Sequence, residues 1–191
     1  NEKAGVTFAA ALRSILRQDP DIVMIGEMRD FETAHIGVQA SLTGHLVLST
    51  LHTNDSISAI IRLVDMGIEP YLAASCMIGT VAQRLARRLC PHCRKEIDPP
   101  AMMAKQGLTR AFVPVGCSEC HNTGYRGRVG LYEQFVINEE IQEAFVGGAP
   151  ASKLREIARK SGFKTLWEIG LSAVQSGLTS PDELTRVAGE D

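Results

Sequence analysis

The sequence predicts an α/β fold with a parallel sheet, followed by a cysteine-rich module and a helical carboxyl-terminal end. Three observations predict it. Over the first 89 residues, short apolar runs alternate with segments of helical periodicity, which is the order of a parallel sheet with crossover helices. Four of the five cysteines then form two C-x-x-C pairs. From Asn138 onward, residues that cap helices and glycines that end them dominate the pattern.

The composition is typical of a globular protein. The 191 residues are 45% hydrophobic and 22% charged, and the formal net charge is −2. This balance excludes wholesale disorder, and the near-neutral charge provides no basic field that would favour nucleic acid as a partner. The longest apolar runs, such as Ile22–Ile25, are far too short to span a bilayer. We therefore expect a cytoplasmic protein that does not bind nucleic acid.

The first 89 residues are predicted to contain four helices and two buried strands. The strands are Ile22–Ile25 and 45–51, and their continuous apolar character is typical of parallel strands that are covered on both faces. Each helix is expected to begin at a capping side chain or at a proline. The predicted helix starts are Thr7, Asp30, Asn54 or Asp55, and Pro70. The predicted helix ends are Asp19-Pro20, Thr43-Gly44, Gly67 and about Leu89.

The chain changes character at Cys90. Residues 90–130 are rich in glycine and contain two adjacent prolines, so this part needs a staple other than a hydrophobic core. A strand is predicted over 129–137, after which the chain turns helical. Ser180 and Glu183 have the spacing of a capping box. The predicted helix caps are Asn138, Ser152 and Ser180, and the predicted helix ends are Gly162 and Gly177.

Four cysteines form the strongest single motif of the sequence: Cys90, Cys93, Cys117 and Cys120. Two C-x-x-C turns place four thiolates around one tetrahedral point, which suits Zn²⁺. Four cysteines leave no open position for water, so we expect a structural role. A redox pair of the thioredoxin type would place one C-x-x-C at the start of a helix, and nothing here resembles that. His92 and His121 are interpreted as exposed loop histidines, and Cys76 as a core residue of an apolar helix.

A carboxylate directly follows the first apolar run. Residues 21–30 read Asp-Ile-Val-Met-Ile-Gly-Glu-Met-Arg-Asp, so Glu27 is expected at the carboxyl edge of the sheet. Four apolar residues that end in an acidic residue resemble a Walker B element, whose carboxylate lies where a nucleotide binds. Glu27 would there polarise an attacking water. A strand followed by a charged loop is also common in proteins without this function.

Polar residues flank the second apolar run as well. Thr43-Gly44-His45 precedes it, and 49–55 follows it with the sequence Ser-Thr-Leu-His-Thr-Asn-Asp. Because parallel strands end at the same edge of a sheet, Thr50 and His52 are expected beside Glu27, which is the usual position of a ligand site. For His45, a role in capping the strand is as reasonable as a functional one.

Taken together, these segments resemble the secretion ATPases of type II secretion systems and type IV pilus assembly. The resemblance covers essentially the whole chain. The matching stretches are 10–21, Gly-Glu-Met-Arg-Asp at 26–30, 32–34, Thr-Gly-His at 43–45, Ser-Thr-Leu-His-Thr-Asn at 49–54, 62–67, 83–85, 116–120 and 123–128. The implied fold is part of a RecA-like P-loop NTPase core over 1–89, a tetracysteine zinc module over 90–131 and a helical subdomain over 132–191. The zinc module favours the secretion and assembly branch over pilus-retraction relatives, which lack it.

The resemblance implies functional roles at matching positions. Glu27 resembles the Walker B glutamate that acts on the lytic water and on the metal-bound nucleotide. His45 and His52 resemble two histidines that sense the γ-phosphate and couple it to domain motion. The four cysteines resemble the family's metal ligands. Further positions expected at the nucleotide are Arg13, Arg17 and Thr50.

One departure from the family pattern is serious. The phosphate-binding loop G-x-x-x-x-G-K-[ST] is absent from the 191 residues. In the family it belongs upstream of this sequence, so the chain resembles the carboxyl-terminal portion of a longer motor. We expect these residues alone to hydrolyse no ATP, because the charge on the transferring phosphoryl group goes unneutralised without the loop's lysine and its magnesium-holding hydroxyl.

The resemblance implies a hexameric, ATP-driven motor that uses Mg²⁺ and moves pilin or pseudopilin subunits at the cytoplasmic face of the inner membrane. Its partners would be an inner-membrane platform protein and a cytoplasmic recruitment protein that anchors it. The alternative is a non-enzymatic, zinc-binding docking module with a basic face. That face would consist of Arg84, Arg87, Arg88 and 125–128. We prefer a simpler interpretation of the three arginines over contact with nucleic acid. They would be solvent-exposed side chains at the end of a helix, where positive charge interacts favourably with the helix dipole.

Overall fold

The computed structural model describes residues 7–189. The chain divides into two compact units. Unit 1 runs to Thr80 and also includes Phe135–Gly162, whereas unit 2 contains Val81–Gln134 and the chain from Phe163 onward. Each unit therefore combines two separate stretches of sequence. The predicted boundaries between the core portion, the cysteine-rich module and the helical subdomain, at 89/90 and 131/132, rest on changes in sequence composition and stay a prediction.

Helices and strands alternate through the first part of the chain, and helices dominate the end. In chain order the elements are α1 (Phe8–Leu16), β1 (Ile22–Ile25), α2 (Phe31–Leu42), β2 (Leu46–Ser49), α3 (Ile57–Asp65), α4 (Pro70–Cys76), β3 (Gly79–Leu89), β4 (Lys95–Ile97), α5 (Ala101–Ala104), β5 (Ala111–Val113), a 3₁₀ turn (Ser118–Cys120), β6 (Tyr125–Val136), α6 (Glu139–Val146), α7 (Ala151–Lys160), α8 (Leu166–Gln175) and α9 (Pro181–Ala188). Among residues 7–189, no helix is both long and apolar enough to cross a membrane.

Unit 1 contains the predicted parallel strand pair. Strands β1 and β2 run in parallel, with Ile22 opposite Leu46 and Ile25 opposite Ser49. The inward side chains of β1 pack on helices α1 and α2. This buried cluster consists of Ala9, Leu12, Val23, Ile25 and Ile36. The pairing confirms the predicted parallel arrangement and brings the carboxyl ends of both strands to one edge.

In residues 7–189 the β1–β2 pair is covered on one face only, whereas the sequence predicts strands that are covered on both. Met24 and Leu48 are exposed, and the burial of β1 alternates between exposed and buried residues. Within residues 7–189, one face of the pair is covered by α1 and α2, and the other face lies open. A continuous apolar run does not distinguish a strand covered on one face from a strand covered on both, because every residue in it is apolar either way.

The predicted helix starts in the first part of the chain are confirmed. Thr7 caps α1 and Asp30 caps α2, each through its side-chain oxygen. Helix α3 begins at Ile57, and the cap comes from Asp55, whose Oδ1 accepts a hydrogen bond of 2.7 Å from Ser58 N. The helix ends at the predicted glycine, Gly67, which has a φ of +101° and so adopts the left-handed conformation that glycine allows.

The later helix caps are confirmed with two exceptions. Asn138 caps α6 and Ser180 caps α9 through their side chains. The prediction for Ser152 is wrong, because α7 already begins at Ala151 after Pro150, whose ring fixes the backbone at the helix start. The predicted capping box at Ser180 is half formed: Glu183 N donates to Ser180 Oγ, but the Glu183 carboxylate binds arginines instead.

The predicted fourth helix is also corrected. Helix α4 starts at the predicted Pro70 but ends at Cys76, and Gly79–Leu89 forms strand β3. Strand β3 pairs with β6. A Cβ atom at Gly79 would lie 2.9 Å from the carbonyl oxygen of Phe135, so the close approach of the two strands requires glycine. Pairing with a distant strand overrides the helical spacing of Ala82 and Ala86.

Two further predictions change with β3. Strand β6 begins at Tyr125, earlier than the strand predicted over 129–137. The three arginines at 84, 87 and 88 lie on β3, so their interpretation as a helix end is wrong. Cys76 is the last residue of α4 and is only half-buried.

Unit 2 has a hydrophobic core of its own, built around α8, α9 and the strands of the cysteine-rich segment. Strands β4 and β5 pair antiparallel, and α8 begins with a capping box between Thr165 and Glu168. The buried members of this core are Ala82, Ala86, Met103, Leu108, Ala111, Leu131, Leu166, Leu171, Ala173, Val174 and Leu184.

A buried carboxylate joins α9 to β3 inside unit 2. The Glu183 side chain has no exposed surface, and its two oxygens accept hydrogen bonds from Arg87 N, from the Arg87 guanidinium and from the Arg186 guanidinium. The Arg87 guanidinium lies 4.2 Å above the Tyr125 ring. The two guanidinium groups, with Arg186 contributing most, lower the pKa of Glu183 to about 2 although burial acts to raise it.

We expect Glu183→Gln to lower the stability of unit 2 by about 3 kcal/mol at pH 7, because the depressed pKa stabilises the folded state wherever the carboxylate is charged. This contribution is complete above pH 4.5, the ordinary pKa, and is lost as the pH falls towards the folded pKa of about 2. Because the cysteine cluster needs deprotonated sulfurs to hold a metal, the comparison is made on metal-loaded protein at pH 7. Denaturation followed by Trp167 fluorescence in unit 2 measures the difference between wild type and variant, with the exposed Glu139→Gln as control. Equal stability of wild type and Glu183→Gln at pH 7 would show that the buried carboxylate contributes nothing.

Candidate functional site

The carboxyl edge of the β1–β2 pair brings three of the predicted site residues together. Thr50 Oγ1 donates a hydrogen bond of 2.6 Å to Gly26 O, and Met28 N donates to Thr50 O at 3.2 Å. These two bonds tie the loop after β2 to the loop after β1. As a result, His52 in the second loop reaches Glu27 in the first. The prediction that Thr50 and His52 lie beside Glu27 is confirmed.

The Glu27 carboxylate lies between the imidazole of His52 and the guanidinium of Arg29. Its Oε1 is 2.6 Å from His52 Nε2, and its Oε2 is 2.5 Å from Arg29 Nη2. The Glu27 side chain is 19% exposed, whereas those of His52 and Arg29 are 86% and 76% exposed. The hydrogen bond from the Arg29 guanidinium, with His52 adding to it, holds the pKa of Glu27 below its usual value. Glu27 is therefore a carboxylate at neutral pH.

His45 lies at the opposite end of β2. Its Nδ1 is 3.0 Å from Ala40 O and 3.3 Å from Thr43 Oγ1, so it joins the groups that end α2. Thr50 lies five positions after His45, which corresponds to about 16 Å of extended chain. The structure therefore does not bring His45 to the edge that carries Glu27.

Arg13 and Arg17 lie on α1 with partners of their own. Arg13 Nη2 forms an ion pair of 2.8 Å with Glu32 on α2. Arg17 Nη2 donates a hydrogen bond of 3.1 Å to Ser14 Oγ one turn earlier. Both contacts are exposed, and neither arginine is hydrogen-bonded to Glu27.

Arg29 is a site residue that was not predicted, although it stands in the same short motif as Glu27. Its spacing from Glu27 is the one signal in the sequence. Side chains two residues apart in extended backbone point to the same side, so an arginine at this spacing can reach back to the glutamate. The bidentate contact of Arg29 Nε and Nη2 with Glu27 Oε2 is the result.

The four cysteines of the motif form one cluster in unit 2. Their sulfur atoms all lie within 4.8 Å of one another, and three pairs are 3.8 Å apart: Cys90 with Cys117, Cys93 with Cys120, and Cys117 with Cys120. Bonded disulfide sulfurs would be about 2.0 Å apart. Four sulfurs at about 2.3 Å from a central zinc ion lie about 3.8 Å from each other. The donor set and its spacing therefore fit a tetrahedral metal ion.

Backbone amides stabilise the sulfurs of this cluster. Gly116 N donates to Cys93 Sγ at 3.3 Å, and Cys117 N and Gly124 N donate to Cys120 Sγ, both at 3.2 Å. Gly124 has a φ of +73° and turns its N–H towards the sulfur. Burial raises the pKa of Cys120, but the amide donors of Cys117 and Gly124, together with the thiols of Cys117 and Cys93, lower it to about 6, whereas burial raises the pKa of Cys117 to about 11. Cys120 is thus the sulfur of this pair that loses its proton first, and the thiolate is the form that binds metal.

The connection between α8 and α9 is held by residues next to this cluster. Arg94, which follows Cys93, donates a 2.5 Å hydrogen bond from Nη1 to Gly177 O. Leu89, which precedes Cys90, donates from its N to Leu178 O at 2.9 Å. The Tyr125 hydroxyl, one residue after Gly124, is 2.7 Å from Ser180 Oγ. The cysteine turns and the connection between the two helices are therefore linked by direct hydrogen bonds. His92 and His121 are exposed, as predicted.

The core and the cluster together define the class of protein. A parallel strand pair with polar side chains at its carboxyl edge is the usual place of a ligand site in an open α/β sheet, and solved structures with the α/β NTPase fold resemble this chain. The crystal structure of the pilus retraction motor PilT with bound ADP matches with a TM-score of 0.68 and 27% sequence identity, over 97% of this chain and 44% of that one. The Legionella pneumophila ATPase DotB matches in fold with a TM-score of 0.67 and 22% identity, over 94% of this chain and 42% of that one.

The chain belongs to the family described as Type II/IV secretion system protein, whose model matches residues 1–186. It is 56% identical over 187 residues to the type II secretion system protein HxcR of Pseudomonas aeruginosa, covering 98% of this chain and 38% of that protein. It is 48% identical over 192 residues to the type IV pilus assembly ATPase PilB of Thermus thermophilus, covering 96% of this chain and 22% of that protein. The chain thus spans less than half of the length of these relatives.

Proposed function

We propose that this chain is the carboxyl-terminal portion of the ATPase domain of a motor that powers type II protein secretion or type IV pilus assembly. The observation that carries the proposal is the edge where Glu27, Thr50 and His52 meet, in a chain 56% identical to a type II secretion protein and 48% identical to a pilus assembly ATPase. A docking module without enzymatic activity gives no reason for a carboxylate held at this edge of a parallel strand pair.

In this proposal the residues of the edge act on a bound nucleotide. ATP would supply the phosphoryl group, and bound Mg²⁺ would neutralise part of the charge that develops on it. Glu27, kept anionic by its neighbours, orients the attacking water as a hydrogen-bond acceptor. Thr50 keeps the two loops together through Gly26 O, and exposed His52 responds to the phosphate through its contact with Glu27. Arg13 and Arg17 bind nucleotide from α1, and His45 stabilises the end of α2 and transmits its motion.

The cysteine cluster holds a structural Zn²⁺ ion in this proposal. Four cysteine ligands close the coordination shell, and the amide donors from Gly116, Cys117 and Gly124 orient the sulfurs. A bound ion would join the two cysteine turns to each other, and Arg94 and Leu89 link these turns to the connection between α8 and α9.

The whole motor works as a homo-oligomer, which we propose is a hexamer. It acts in the cytoplasm, bound to the inner membrane through a platform protein and a cytoplasmic recruitment protein. The functional parts are the core portion 1–89, the zinc module 90–131 and the helical subdomain 132–191. The 191 residues alone carry no phosphate-binding loop, so we expect them not to hydrolyse ATP.

ATP hydrolysis by the full-length protein and by the 191-residue chain tests this proposal. We expect Mg²⁺-dependent phosphate release from the full-length protein, in a form whose mass corresponds to an oligomer, and none from the 191 residues. A full-length protein that is folded and metal-loaded but does not bind ATP would leave the docking module as the better description. ATP hydrolysis by the 191-residue chain that is abolished by Glu27→Gln would contradict the expectation that hydrolysis needs a phosphate-binding loop outside these residues.

A further inference from the structure

The contact between Arg29 and Glu27 goes beyond what the proposed hydrolysis requires. Arg29 Nε and Nη2 both contact Oε2 of Glu27 at 2.5 Å, while His52 Nε2 lies 2.6 Å from Oε1. Both oxygens of the carboxylate are thus engaged. A residue that orients a lytic water needs an oxygen that is free to accept a proton or a hydrogen bond.

The contact makes Glu27 a weak acceptor. A carboxylate oxygen has two lone pairs, and the two N–H groups of Arg29 occupy both of those on Oε2. The adjacent guanidinium also favours the charged form of Glu27 and so reduces its affinity for a proton. In this arrangement Glu27 is held in position, Oε2 has no lone pair left for water, and Oε1 keeps one beside its contact with His52.

Arg29 itself is free to move. Its side chain is 76% exposed, and among residues 7–189 its hydrogen bonds go to Glu27. A side chain this exposed can change its rotamer at little cost, so a stronger anion nearby can compete with Glu27 for the guanidinium. A phosphate group carries more charge than a carboxylate, and the flat fork of a guanidinium fits it well.

We propose that Arg29 is a positioning residue that restrains Glu27 in the ligand-free protein and moves to a phosphate group of the bound nucleoside triphosphate, which frees Glu27 to accept from water. This inference rests on the proposed ATPase function. Movement of Arg29 would make the Glu27 carboxylate available when the nucleotide is bound. The contact with Arg29 would restrain Glu27 when the site is empty.

Two measurements on Arg29→Gln and Arg29→Lys test the inference. The first is the affinity of the full-length protein for a non-hydrolysable ATP analogue, by calorimetry. Loss of a charge-assisted contact predicts at least a tenfold weaker affinity for Arg29→Gln, with partial recovery in Arg29→Lys, which keeps the charge. The second is the titration of the Glu27 carboxyl in the 191-residue chain by carbon-13 NMR, where Arg29→Gln should raise the pKa towards its usual value.

Arg126→Gln is the matched control, because Arg126 is also an exposed arginine paired with a glutamate, Glu119, at 3.3 Å. It should change neither measurement. If wild type binds the analogue and Arg29→Gln binds it equally well, the inference is wrong and the proposed function stands. An unchanged Glu27 titration in Arg29→Gln would also overturn the inference. If wild type does not bind the analogue, the proposed function itself fails, and the inference with it.

Discussion

Glu27→Gln in the full-length protein is expected to lower ATP turnover at least 100-fold and to leave ATP binding intact. Glutamine keeps the shape of the side chain but is a very weak base, and loss of a positioned basic group costs about 10²–10⁴-fold in rate. Because Glu27 does not hold the phosphates in the proposed site, the affinity should change little. Phosphate release and calorimetric binding, measured on the same preparation, separate the two effects.

The matched control for this prediction is Glu139→Gln. Glu139 is an exposed glutamate in the first turn of α6, also in unit 1, and its change should leave turnover at the wild-type level. Turnover by Glu27→Gln within a factor of a few of wild type would remove Glu27 from the chemistry. Loss of ATP binding together with turnover would mean that Glu27 holds the nucleotide or its magnesium.

Removal of the metal is expected to unfold much of unit 2. We expect about one zinc ion per chain, and its binding to a four-cysteine site is worth on the order of 10 kcal/mol, comparable to the whole stability of a domain. A chelator or Cys120→Ser should therefore release α8 and α9, whose connection is held by Arg94 and Leu89 beside the cysteine turns. Hydrogen exchange should rise in both helices, and Trp167 fluorescence should change.

Cys76→Ala is the control for the cysteine prediction. Cys76 is the fifth cysteine, lies at the end of α4 in unit 1 and is not a member of the cluster. Its change should leave the zinc content and the exchange of α8 and α9 as in wild type. If protein isolated without metal has all four thiols free and still shows slow hydrogen exchange in α8 and α9, metal binding is not what stabilises unit 2.

The features that the sequence predicts well depend on local rules or on chain order. Asp30 caps α2 because its short side chain reaches the N–H of Thr33, which is a relation between near neighbours. Glu27 and His52 meet because two parallel strands must end at the same edge, whatever their surroundings. The cysteine cluster follows from the C-x-x-C spacing, since each short turn can direct two thiolates to one point.

The features that the sequence does not predict depend on partners far along the chain. Residues 79–89 have the spacing of a helix and become a strand because β6 pairs with them. Glu183 looks like one half of a capping box, but two guanidinium groups compete for its carboxylate, and one of them lies on β3. Pairwise distances of this kind are set by the tertiary fold, so spacing along the sequence carries no record of them.

The most direct test of the central claim is a structure of the full-length protein with Mg²⁺ and a non-hydrolysable ATP analogue. We expect the terminal phosphate to lie at the carboxyl edge of β1 and β2, with Glu27, Thr50 and His52 around it. A nucleotide bound elsewhere, with this edge facing empty solvent and the contact between Glu27 and Arg29 unchanged, would contradict the account.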